Sequence, residues 1–172
     1  IGMSDLMAET DLNEEQSNYV GVFKKAGDAL LFLVNDILDL SKIEANQLVL
    51  EEINFNLIAL IEEVAEIYAL KAADKNIEII TRTHLSKNIH VNRIGDPNRL
   101  KQIILNFISN ALKFTDSGEI VICLESMEGD DGFITISVTD SGIGIPADKL
   151  EKIFDSFSHV DASTTRKYGG TG

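Results

Sequence analysis

The chain has 172 residues, 44% of them apolar and 25% charged, enough for one substantial core with residues left over for an additional element. Acidic residues outnumber basic ones 28 to 15, for a net charge of −13. No lysine or arginine cluster is present to neutralise a run of phosphates, which argues against binding to nucleic acid or to an anionic membrane surface. The longest apolar stretches, Ala29 to Val34 and Leu57 to Ile61, fall well short of the roughly 20 residues that a membrane span needs. A soluble globular fragment without direct membrane contact is expected, in the cytoplasm, with the parent protein free to be membrane-anchored. The single cysteine, Cys123, lies in the strand-like run Glu119 to Leu124 and reads as a small buried hydrophobe. Both ends, Ile1-Gly2-Met3 and Gly170-Thr171-Gly172, read as cuts within a longer pattern.

Ile1 to Glu9 is compatible with a helix, and Thr10 to Asn13 followed by Glu14-Glu15 supplies a turn and an N-cap. Phe23, Ala26, Leu30, Leu33, Ile37 and Leu40 then recur in alternating steps of three and four, the a/d seam of a coiled coil or antiparallel bundle. A helical hairpin follows, its first arm truncated, and the alternative is a single surface helix packed on its own domain. Near Gln47 the period changes. Leu48 to Phe55 reads as a short strand leading into the next unit, so domains of 1–46 and 47–172 are expected.

Leu57 to Ala73 predicts an amphipathic helix with Leu60, Ile61, Val64, Ile67, Tyr68 and Ala72 on one face. Asn76 to Arg82 is strand-like, and Asn88 to Gly95 is an extended connector with room for a short strand. Asp96-Pro97 opens a helix in the preferred way, with Leu100, Ile103, Ile104, Phe107, Ile108 and Ala111 expected to be buried. Gly118 to Met127 and Phe133 to Thr139 are strand candidates joined by the loop 128–132. The order predicts an α+β fold, a helical hairpin followed by a sandwich with helices on one sheet face.

Two segments carry chemistry. Asn106, Asn110 and Lys113 stand at i, i+4 and i+7 of the helix that begins at Asp96 and share one face. An asparagine oxygen is a neutral hard ligand suited to Mg²⁺, and a lysine there neutralises phosphate charge. Taken alone, two such asparagines are ordinary solvated residues. Asp140-Ser-Gly142-Ile-Gly144-Ile145 closes the last strand, its carboxylate able to accept from an exocyclic amine such as adenine's and its glycines permitting close backbone approach. Further on, Phe154 and Phe157 precede a polar stretch and the cluster Gly169 to Gly172, whose backbone amides could cradle phosphates; a disordered tail is the alternative.

In order and spacing these pieces resemble the N box, first glycine box, F box and second glycine box of sensor histidine kinases, within the superfamily that includes gyrase and mismatch-repair ATPases. The segments at Ile1 to Asp5 and Asn35 to Ala45 resemble the dimerisation and phosphoacceptor hairpin of the same kinases. The resemblance implies a Bergerat-type ATP pocket with a mixed sheet. It would use Asn110 for Mg²⁺, Asn106 and Lys113 near the phosphates, and Asp140 for the adenine amine. Gly142 and Gly144 would form the floor, with Ile145 and Tyr168 among the nucleotide-binding residues. The segment 158–168 would be a lid, and Gly170, Thr171 and Gly172 would reach the phosphates. ATP and Mg²⁺ are the implied cofactors. The implied partners are a second copy of the chain, through the hairpin, and a response-regulator receiver domain.

Hydrolytic members of the superfamily carry a glutamate four residues before the metal-binding asparagine. Asn106 occupies that position here and is a poor base, which favours transfer to a protein side chain over ATP hydrolysis. The family's H-E-x-R-T-P phosphoacceptor motif does not occur, and His84, His90 and His159 lack its context. The chain by itself is therefore expected not to autophosphorylate, and no catalytic phosphoacceptor residue is assigned within it. Two rival readings are a gyrase- or chaperone-like ATPase clamp and a non-enzymatic dimerisation module with a vestigial pocket.

Overall fold

The computed structural model describes residues 2–86, 89–126 and 133–150, and the chain divides into two compact units between Val49 and Leu50.

The first unit is a helical hairpin. Helix α1 (Gly2–Ala8) precedes α2 (Glu14–Glu44), and Lys24 pairs with Asp5 at 2.6 Å between them. Asn13 caps α2 reciprocally: its side chain accepts from the Gln16 amide, and its own amide donates to the Gln16 side chain. The seam residues Phe23, Leu30 and Ile37 are 77%, 62% and 56% exposed. Leu31, Val34 and Leu38 are exposed as well, so the apolar surface of α2 is wider than one seam.

The second unit begins with β1 (Ile53–Asn56), α3 (Leu57–Ala73), β2 (Ile77–His84) and β3 (Asn92–Gly95). It continues with α4 (Pro97–Phe114), β4 (Gly118–Glu125) and β5 (Thr135–Asp140). Strands β2, β4 and β5 form a mixed sheet in that order, β2 parallel to β4 and β4 antiparallel to β5. Strands β1 and β3 pair separately as an antiparallel ribbon. The expected strand from Leu48 starts only at Ile53, and Val49 and Leu50 are exposed. A strand is held by its partner, and the register of β1 runs out where Ile53 meets Gly95.

Register explains the core. Partners across a sheet share a face, so Ile77, Ile79, Ile120, Ile122, Leu124, Ile136 and Val138 all point to one side. Against that side pack Leu57, Leu60, Ile61 and Val64 of α3 with Ile104, Ile108, Ala111 and Leu112 of α4. The opposite face carries Glu78, Arg82, Glu119 and Glu125. Three residues expected in the core are not buried: Ile103 and Phe107 of α4 are each 53% exposed, and Ile67 of α3 is 52% exposed. Helix α4 is apolar around more of its circumference than one sheet can cover, and Ile103 and Phe107 lie one residue round from the buried pair Ile104 and Ile108.

Both ends of α4 are fixed. At its start the Asp96 carboxylate accepts from the Arg99 amide at 3.0 Å and, across the ribbon, from the Glu51 amide at 3.2 Å. At its end Lys75 donates to the Leu112 carbonyl at 2.7 Å, satisfying one of the orphan acceptors of the last turn.

Two predictions follow from this packing. Ile108→Ala should destabilise the second unit by about 2–5 kcal/mol in urea unfolding, whereas Phe107→Ala should stay within about 0.5 kcal/mol of wild type. The backbone donors at Asp96, foremost Arg99, hold its pKa below the ordinary carboxylate value. A depressed folded-state pKa gives stability that is complete above the unfolded value and is lost as pH falls through the folded one. The difference in unfolding midpoint between wild type and Asp96→Ala should therefore be constant above about pH 5 and shrink in more acidic buffer.

Candidate functional site

The two chemical segments meet at the C-terminal end of α4. Asp140 pairs with Ile120, which is fully buried, so the Asp140 side chain emerges on the sheet face that carries the helices. Immediately after it the chain turns under α4: the Ile143 amide donates to the Phe114 carbonyl at 3.2 Å. Phe114 directly follows Lys113, so the carboxylate and the asparagine face are joined through one peptide group.

That junction explains the first glycine. A Cβ on Gly142 would stand 2.4 Å from the Phe114 carbonyl oxygen and 2.7 Å from Oδ1 of Asp140. The Gly142 amide donates to the same Asp140 oxygen at 2.8 Å, an Asx-type turn that orients the carboxylate. Gly144 is needed for a different reason: its φ of +68° is a left-handed conformation, though the space around it is open. Ile145 follows, exposed.

Asn106 and Asn110 are exposed on α4 one turn apart, and the Asn110 amide nitrogen approaches the Asn106 oxygen at 3.5 Å. Lys113 is half-buried, its ammonium 4.9 Å from the centre of the Phe114 ring. Ile103, Asn106, Phe107, Asn110 and Lys113 thus form one solvent-facing strip ending beside the Asp140 turn. Tyr168, Gly170, Thr171 and Gly172, together with the expected lid, lie outside the described residues. A concavity of about 360 Å³ lined by Phe55, Arg93, Leu100 and Phe133 is at the other end of α4 and includes none of these groups.

Comparison with known proteins matches this arrangement. Residues 95–172 match the family model described as histidine kinase-, DNA gyrase B- and HSP90-like ATPase, and residues 1–46 match the His kinase A (phospho-acceptor) domain. The sensor histidine kinase GacS of Pseudomonas protegens is 40% identical over 174 residues, covering 100% of this chain and 19% of its own length. Full-length ShkA in complex with AMPPNP superposes with a TM-score of 0.75 at 34% identity, over 95% of this chain and 34% of that one. The catalytic domain of the histidine kinase ThkA is 32% identical with a TM-score of 0.54, over 69% of this chain and 78% of that domain. ThkA in complex with the response regulator TrrA matches 92% of this chain and 45% of its own at 31% identity, with a TM-score of 0.62.

The chain belongs to the histidine kinase family. It spans a small part of the curated relatives, 8% of one from Dictyostelium discoideum and 19% of GacS. In this histidine kinase chain, Ser141 is a structural residue of the site that spacing alone did not single out. Its hydroxyl accepts from the Glu119 amide at 3.0 Å and donates to the Glu119 carbonyl at 3.2 Å, while its own amide donates to that carbonyl at 3.1 Å. The turn after β5 is thereby clamped to the start of β4. Gly118 makes room for the clamp: its φ is +120°, and a Cβ there would meet the Ser141 hydroxyl at 2.3 Å. The signal available in the sequence was the Asp116-Ser117-Gly118 turn at the helix exit.

Gly142→Ala, which must displace backbone, should cost about 3 kcal/mol or more in chemical unfolding. Gly144→Ala meets only conformational strain and should cost about 1–2 kcal/mol.

Proposed function

We propose that residues 47–172 form the ATP-binding catalytic domain and residues 1–46 part of the dimerisation hairpin of a sensor histidine kinase. In this reading Asp140 accepts from the adenine amine and Gly142 and Gly144 line the floor beside it, with Ile145 at the rim. Asn106, Asn110 and Lys113 serve the phosphate side. The observation that carries the reading is the bond from the Ile143 amide to the Phe114 carbonyl, which brings an acceptor-only carboxylate and a neutral, lysine-ended helix face to one place.

The donor set suits a metal held mostly by its ligand. Among the described residues no group of three or more His, Cys, Asp or Glu could hold an ion. An asparagine oxygen, as Asn110 offers, with phosphate oxygens and water is the environment Mg²⁺ prefers. Bound there, Mg²⁺ would neutralise charge on the phosphates. The chain's own part is positioning: the Asp140 turn fixes the base, and Lys113 sets a positive charge at the end of the strip.

Asn106 lacks a carboxylate and cannot take a proton from water, which favours transfer of the γ-phosphoryl to a histidine over hydrolysis. None of His84, His90 and His159 lies within residues 1–46, which match the phospho-acceptor domain. The acceptor therefore belongs to the whole protein, as does onward transfer to a receiver aspartate, a reading supported by the ThkA complex with a response regulator. Phe23, Leu30 and Ile37, exposed at heptad spacing, would dimerise with a second copy. No helix among the described residues is long and apolar enough to cross a membrane.

The test is a titration of the full protein with a fluorescent ATP analogue. Binding should require Mg²⁺, lose that requirement with much of its affinity in Asn110→Ala, and weaken roughly 10- to 100-fold in Asp140→Asn. Incubation with γ-labelled ATP should leave acid-labile, alkali-stable phosphate on the protein. Nucleotide binding indifferent to Asp140→Asn would overturn the assignment.

A further inference from the structure

The segment that joins the two units is held at both of its ends. At the end of α2 the chain closes in a Schellman motif: Asn46 is left-handed at φ +53°, its amide donates to the Ile43 carbonyl at 3.0 Å, and the Gln47 amide donates to the Lys42 carbonyl at 2.8 Å. At the other end the Glu51 amide donates to the Asp96 carboxylate at 3.2 Å. Leu48, Val49 and Leu50 lie between these anchors, and the boundary between the units falls among them. Val49 and Leu50 are 86% and 59% exposed, so neither is held by a core.

The second anchor depends on residue 96 being an aspartate. Register pairs Ile53 with Gly95, and directly after Gly95 the chain turns into α4, so β3 offers no further strand backbone to the residues before β1. The Asp96 side chain takes that place. Its two oxygens divide the work: Oδ1 accepts from the Arg99 amide and caps α4, while Oδ2 accepts from Glu51. Asparagine and serine cap helices about as well as aspartate does, so the cap alone does not call for a carboxylate. Either of them has a single side-chain oxygen, whereas the carboxylate supplies two acceptors with a charge behind both.

We propose that Asp96 is a positioning residue for phosphoryl transfer: by holding the Glu51 amide it limits the free linker to Leu48, Val49 and Leu50 and so keeps the catalytic unit within short reach of the hairpin. The inference rests on the kinase reading of the two units. With the anchor made, the chain from Gln47 to Glu51 spans at most about 14 Å. Without it the next fixed residue is Ile53, the first of β1, and the span grows to about 21 Å. A tethered reaction runs at a rate set by effective concentration, which falls as the tether lengthens beyond the distance it bridges. Asp96 stands at the start of α4, whereas Asn110 and Lys113 stand near its end, so the anchor acts on transfer and not on nucleotide affinity.

The experiment follows phosphate uptake from γ-labelled ATP at saturating nucleotide on the full protein. Asp96→Asn keeps one oxygen for the cap and removes the acceptor for Glu51. Its unfolding midpoint and its affinity for a fluorescent ATP analogue should stay close to wild type, the Glu51 amide should exchange its hydrogen about tenfold faster, and phosphate uptake should slow about two- to threefold. Two glycines inserted after Val49 lengthen the linker without touching Asp96. They should slow uptake to the same extent while the Glu51 amide stays protected, a result that a purely structural role for Asp96 does not produce. Wild-type exchange at Glu51 in Asp96→Asn, or an unchanged rate of uptake in either variant, would overturn this inference alone. So would a loss of ATP affinity in Asp96→Asn that accounts for its loss of rate, which would place Asp96 in the nucleotide site. A wild type that takes up no phosphate would overturn the kinase reading and this inference with it.

Discussion

The second unit is organised around a close approach between two backbones, the end of α4 and the turn that leaves β5. The Phe114 carbonyl accepts from the Ile143 amide, and no atom larger than hydrogen fits on Gly142 beneath it. The contact requires β5 to end at one residue, because a one-residue slip would send Asp140 to the opposite sheet face and place a side chain against the carbonyl. The pairing of Ile120 with Asp140 and the triple bond set between Ser141 and Glu119 fix that register. The apolar core does the rest, since Ile104, Ile108 and Leu112 seat α4 on the same strands.

The charge balance of the chain makes sense in this frame. A net charge of −13 is unfavourable for a protein that is to hold phosphates. Two lysines near the end of α4 oppose it locally, but in different roles. The Lys75 ammonium is spent on the Leu112 carbonyl, stabilising the helix terminus. Lys113 is held near the Phe114 ring, its ammonium 4.9 Å from the ring centre. On the nucleotide reading the asparagines of the strip add no negative charge of their own, which an aspartate or glutamate ligand would.

Periodicity and cap chemistry made most of the elements legible before the structure. Helix α3 runs over the predicted residues, and α4 begins at Pro97, directly after its Asp96 cap. The misses have physical causes. The apolar positions of α4 span more of its circumference than the sheet covers, so Ile103 and Phe107, expected in the core with Ile104 and Ile108, are half exposed. The separate β1–β3 ribbon was hidden because pairing is a long-range fact that no local pattern states. Motif spacing made the Asn106, Asn110, Lys113 and Asp140 constellation legible. It did not show Ser141 or Gly118, whose parts depend on which backbone lies against them.

The site divides into two kinds of matter. Around Asp140 everything is backbone-anchored: Gly142 orients the carboxylate, and Ser141 ties the turn to β4. Along α4, by contrast, Asn106 and Asn110 are exposed side chains with rotamer freedom, joined by one long contact of 3.5 Å. A base that must be told from other bases needs fixed donors and acceptors, since specificity comes from groups that cannot adjust to the wrong partner. A phosphate chain whose charge is redistributed during transfer is better served by groups that can follow it and by a metal that keeps water in its shell. On the nucleotide reading the rigid end and the adjustable end share one helix, so the half that would discriminate the base can be locked by the core without stiffening the half that would face the reaction.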